Sequence, residues 1–64
     1  MKIKNMHYNA RNGAFEARVD IERDGKVFRY PCQVPGPLNM NIELVHKGLV
    51  DQALRMSDTA GFRN

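Results

Sequence analysis

Sixty-four residues with a formal charge of +3 and a pI near 9.4 make one small domain at most. A chain this short buries only about 60% of the surface it exposes when unfolded, so it needs a well-made core, a staple or a partner subunit. Cys32 is the single cysteine, which excludes an internal disulfide and fits a reducing compartment better than secretion.

The opening Met1-Lys2-Ile3-Lys4-Asn5 is charged with no apolar run behind it, so no signal peptide is expected. No stretch approaches the ~20 apolar residues of a membrane span. The expectation is a cytoplasmic protein without membrane contact.

Residues 3–10 alternate as a first strand. Asn12-Gly13 reads as a two-residue turn, which opposes Ala10 to Phe15, Tyr8 to Ala17 and Met6 to Val19. A second strand follows over 14–22. Asp24-Gly25 is the stronger turn signal, because a type I′ turn needs positive φ at both central residues. It sets Arg23 against Lys26, Ile21 against Phe28, Val19 against Tyr30, Ala17 against Cys32 and Phe15 against Val34. All of these but the closing pair are apolar, and directly opposed residues share a face. The intervening pairs include Asp20 with Arg29 and Glu16 with Gln33. The third strand, 26–34, contains Pro31, which suits an edge. Pro35-Gly36-Pro37 ends it.

Asn39 or Asn41 then caps a helix. With Asn41 as cap, Met40 can staple onto Val45. Ile42, Val45, Leu49, Ala53 and Met56 form a stripe at helical spacing, widened by Val50 and Leu54. Lys47, Asp51 and Arg55 make a solvated row opposite. Gly48 inside the helix costs about 1 kcal/mol relative to alanine, which points to close packing there. The fold class expected is α+β, a three-stranded antiparallel β-meander packed on one C-terminal α-helix (βββα). One domain covers residues 1–58, and 59–64 read as a short tail from which Phe62 can fold back onto the core.

Searches for chemistry return little. Cys32, His7 and His46 are the candidate metal ligands, but the meander puts Cys32 and His7 on opposite sheet faces, and no Cys-x-x-Cys or His-x-x-x-His spacing exists. Cys32 reads as a small buried hydrophobe. Cys32 with His46 is the one conceivable nucleophile and base, in a chain with little room for a water-excluding pocket. No glycine pattern cradles phosphate. The expectation is therefore a non-enzymatic domain without metal, cofactor or small-molecule ligand.

Two surfaces remain. The uncovered sheet face should carry Ile3, Asn5, His7 and Asn9, then Glu16, Arg18, Asp20 and Glu22, then Val27, Arg29, Pro31 and Gln33. Arg11, Arg23 and Lys26 sit at the hairpin ends. Arg, Asn, Gln and His suit base-edge contacts, so Asn5, His7, Arg11, Arg18, Arg23, Lys26, Arg29 and Gln33 are candidate nucleic-acid contacts. In its order of elements the domain resembles the plant ethylene-response DNA-binding domain and the amino-terminal domains of some phage-type integrases, which read DNA with such a sheet. That resemblance is one of topology and not of motif. Glu16, Asp20 and Glu22 weigh against it, since acids beside phosphates weaken binding.

The second surface is the helix flank of Leu44, Val50 and Leu54, whose apolar arc is wider than a minimal amphipathic stripe. It is the candidate protein contact, through a partner or a homodimer. Sequence alone ranks this protein-interaction reading first and nucleic-acid binding second.

Overall fold

The computed structural model describes the backbone of residues 1–62 and the side chains of residues 1–57. Its elements are β1 (Lys2–Asn9), β2 (Ala14–Arg23), β3 (Lys26–Pro35) and α1 (Ile42–Phe62). The strands form one antiparallel sheet in the order β1-β2-β3, and α1 covers one face of it. This is the expected βββα meander. The helical backbone reaches Phe62, so it enters the segment read as a tail. The expected packing of Phe62 lies outside the described residues, as do Arg63 and Asn64.

The β2–β3 hairpin follows its turn. Asp24 and Gly25 take φ of 52° and 76°, the type I′ requirement, and the pairing runs from Arg23↔Lys26 to Ala14↔Pro35 without a slip.

The β1–β2 connection departs from expectation. Asn12 is not among the residues with positive φ, so Asn12-Gly13 does not make a two-residue turn. Instead the Asn9 side-chain carbonyl accepts from the amides of Arg11 (3.0 Å) and Asn12 (3.4 Å). An Asn side chain that bonds the backbone two residues on nucleates its own turn. The strands close at Asn9↔Ala14, with Gly13 in the left-handed region. Tyr8 therefore faces Phe15 rather than Ala17, and the two rings meet edge to face at 4.9 Å. The expected pairs Ala10–Phe15 and Met6–Val19 are also replaced.

A β-bulge between Lys4 and His7 then changes the phase of β1. Asn5 adopts φ of 57°. Below the bulge Ile3 pairs with Val19, and Lys4 with Arg18. Ile3, expected on the open face, packs against the core, while Lys2 and Lys4 turn to the open face. Met6, expected in the core, is left partly exposed.

The core is Phe15, Ala17, Val19, Ile21 and Cys32 from the sheet against Val45, Leu49 and Ala53 from α1. Ile42, placed in the buried stripe by its spacing, is exposed at the first turn. Asn41 caps the helix: its side-chain oxygen accepts from Glu43 N at 2.8 Å, and Met40 packs on the core beside it. A Cβ on Gly48 would stand 2.7 Å from Val34 Cγ2, so the glycine makes room for a close approach of helix and sheet.

Candidate nucleic-acid interface

The two-residue turn fixes which β3 groups point outward. Pairs alternate from the closing Arg23↔Lys26, so the main-chain groups of Val27, Arg29, Pro31, Gln33 and Pro35 face away from β2. Two of these are prolines and offer no N–H. At Gln33 the Gln52 side chain closes the edge: its oxygen accepts from Gln33 N at 2.9 Å and its amide donates to Gln33 O at 2.7 Å. An edge blocked in this way resists strand addition. That removes most of β3 as a docking edge and directs attention to the open face.

On that face the structure gathers Lys2, Lys4, His7 and Asn9 from β1, then Glu16, Arg18, Asp20 and Glu22 from β2, then Val27, Arg29, Pro31 and Gln33 from β3. Asn5 joins them from the bulge. Together Asn5, His7, Glu16, Arg18, Pro31 and Gln33 line an open groove of about 430 Å³ that crosses all three strands. The expected candidates Asn5, His7, Arg18, Arg29 and Gln33 are thus brought to one face. Arg23 and Lys26 are not: as the closing pair they share the side of Ile21 and Phe28, at the hairpin tip. Arg11 stands in the β1–β2 loop, at the other end of the sheet. Sequence reasoning missed Lys2 and Lys4. The available signal was parity, because Ile3 and Tyr8 are an odd number of residues apart. Both can face the core only if one residue is inserted between them.

Two of the three acids are compensated within the face. Asp20 receives Arg29 at 3.0 Å and Lys4 at 3.3 Å and is buried beneath them. These bonds, Arg29 first, hold its carboxyl below the ordinary range. Glu16 accepts from Asn12 at 3.2 Å, from Asn9 at 3.4 Å and from His7 at 3.1 Å, and its pKa is lowered, first by the two asparagines. Arg18 is different. It is exposed at the centre of the sheet, its cross-strand partner is the cation Lys4, and on β3 it faces Pro31. Like charges placed directly opposite across a sheet are destabilising.

The charge of the whole chain is concentrated on this half. Residues 1–35 hold seven Lys and Arg against four Asp and Glu, whereas residues 36–64 hold three against three. The helix-facing side of the sheet within the core is apolar, so the excess falls on the open face and the turns.

The second candidate surface is also present in part. Leu44 is 55% and Leu54 39% exposed, and Val50 is half-buried. Cys32 is buried, its thiol donates to Tyr30 O at 3.6 Å, and desolvation pushes its pKa up, away from a reactive thiolate. Among the described residues no three His, Cys, Asp or Glu side chains are grouped to hold a metal, and no helix is long and apolar enough to cross a membrane. Compared with known protein families, curated proteins and solved structures, the chain matches none.

Proposed function

We propose that this domain binds nucleic acid through the open face of its sheet, as a binding module and not as an enzyme. One observation carries the reading: Lys4 and Arg18 stand side by side across β1 and β2, on a face whose nearest acids are already engaged. Lys4 shares Asp20 with Arg29, so Arg18 is the cation of the pair that is left to an anion, and an anion lying across both becomes favourable. Among the described residues the face carries no aromatic side chain, since Tyr8, Phe15, Phe28 and Tyr30 lie on the other side by alternation. Contact with phosphates, supplemented by Asn5 and Gln33 toward base edges, is therefore the mode, rather than base stacking.

The test is titration of a mixed-sequence DNA duplex at about 50 and 200 mM salt. Binding should weaken steeply with salt. Arg18→Ala should reduce the slope of log K against log salt by ~1, because one phosphate contact is lost. Absence of binding at low salt removes the reading.

A second reading keeps a specific observation, the exposure of Leu44 and Leu54 on α1. An apolar flank of this kind suits self-association or a protein partner. Sedimentation of the wild type and of Leu44→Glu with Leu54→Glu separates the cases. A monomer at micromolar concentration in both removes self-association.

A further inference from the structure

His7 holds two acceptors at once. Its Nδ1 lies 3.0 Å from the carbonyl oxygen of Asn5, and its Nε2 lies 3.1 Å from Oε1 of Glu16. A carbonyl and a carboxylate can only accept, so both contacts are hydrogen bonds only when both ring nitrogens carry protons. The neutral ring must give up one of them.

Each contact has its own consequence. Asn5 is a non-glycine residue in the left-handed region, a strained backbone conformation, and its carbonyl is what His7 grips. That residue belongs to the bulge that rotates Lys2 and Lys4 onto the open face. Glu16, the other acceptor, flanks the groove that Arg18 lines. Imidazolium at position 7 therefore pins the turn of backbone that presents Lys4, and it cancels the carboxylate beside Arg18.

We propose that protonation of His7 switches the open face toward anion binding, by locking the Asn5 bulge and neutralising Glu16. This regulation rests on the nucleic-acid reading above. The groups around His7 are consistent with it. On β1 the neighbouring charge is Lys4, and on β2 the charges are Glu16 and Arg18. Pro31 and Gln33 of β3 and Gln52 of α1 carry none at the groove, and the Cys32 thiol is buried and protonated. Among the described residues the only close acid is the one His7 already contacts.

A bound polyanion would further favour the imidazolium, so affinity and protonation reinforce one another. Between about pH 6 and 8 the affinity for a duplex should fall several-fold, and the salt slope should drop by ~1 as one cation is lost from the face.

The experiment is fluorescence anisotropy of a short mixed-sequence DNA duplex across that pH range at two salt concentrations, for wild type, His7→Gln and His46→Gln. The expected result is a pH-dependent affinity and slope in wild type and His46→Gln, both flat in His7→Gln. In parallel, long-range nitrogen–proton correlation spectra of the free protein should show both His7 nitrogens protonated at the acidic end. The Ile3–Val19 cross-strand NOE should weaken as His7 loses its proton. An identical pH profile in wild type and His7→Gln overturns the switch while leaving nucleic-acid binding intact. A His7 ring carrying a single proton at the acidic end, or an NOE unchanged across the titration, overturns it without any ligand. Failure of every form to bind the duplex at the acidic end overturns the binding reading, and the switch with it.

Discussion

Glu16, Asp20 and His7 set the acid–base behaviour of the fold as well as that of its surface. The His7 pKa is raised from an ordinary 6.5, first by the bond to the Asn5 carbonyl and then by Glu16. A raised pKa contributes stability that is complete below 6.5 and is lost as pH climbs through the folded value. The carboxylates run the other way. Glu16 is lowered from 4.5 and Asp20 from 3.8, so their contributions are complete above those values and vanish as pH falls through the lower folded ones. The melting temperature should therefore form a plateau between about pH 4.5 and 6.5, declining on both sides. Thermal melts of His7→Gln should lose the alkaline decline and keep the acid one. A decline that persists in the variant assigns it to another group.

At the scale of elements, two of the contacts between α1 and β3 are directly testable. Gly48→Ala sets a gain of about 1 kcal/mol in helix propensity against an overpacking penalty of about 1–3 kcal/mol. Val34 is a stiff β-branched side chain, and its Cγ2 would lie 2.7 Å from the new Cβ, so the penalty should win. In urea titrations Gly48→Ala should lower stability in wild type but raise it in a Val34→Ala background. Equal effects in both would place the strain elsewhere. The second contact is the paired hydrogen bond from Gln52 to Gln33. Gln52→Leu should lose about 1–3 kcal/mol, since each of the two bonds contributes about 0.5–1.5 kcal/mol net. The more telling readout is hydrogen exchange: the Gln33 amide should lose protection selectively, and a tendency to pair edge to edge should follow.

The bulge in β1 also belongs to this scale. Its phase change was written in the odd spacing of Ile3 and Tyr8, whereas the loop closure was not. The Asn12-Gly13 pattern was overridden by Asn9, a local competitor whose side chain bonds the backbone at Arg11 and Asn12. Turn propensity reads two residues at a time, and it cannot weigh a third residue that reorganises the same backbone.

For the molecule as a whole, the small core is the governing fact. Leu49, Val19 and Val45 are its largest fully enclosed side chains, and two of its other members, Ala17 and Ala53, are alanines. Leu49→Ala should remove about 2–5 kcal/mol, as deletion of a buried leucine does. A domain of this size commonly has about 3–5 kcal/mol in total, so circular dichroism should find that variant largely unfolded at room temperature. Leu54→Ala, at a partly exposed position on the same helix, should stay within about 0.5 kcal/mol. Similar losses at both positions would mean that α1 is covered by something other than the sheet. The same economy explains the distribution of charge. With one helix for one sheet, a whole sheet face has no apolar partner among the described residues, and it carries most of the ionic groups of the strands.

From sequence alone came the element order, the full register of the β2–β3 hairpin and a helix cap narrowed to Asn39 or Asn41. Each rests on a short-range requirement: positive φ at Asp24 and Gly25, alternation across a strand, and an Asn side chain facing free amides. Only the folded chain could set Lys4 beside Arg18, close the β3 edge with Gln52 and give His7 two acceptors. Those arrangements join residues from different strands, or from sheet and helix, and they depend on the one-residue bulge in β1. A single inserted residue reverses every side chain beyond it, so the surface that carries the proposed function is decided by a backbone detail and not by composition.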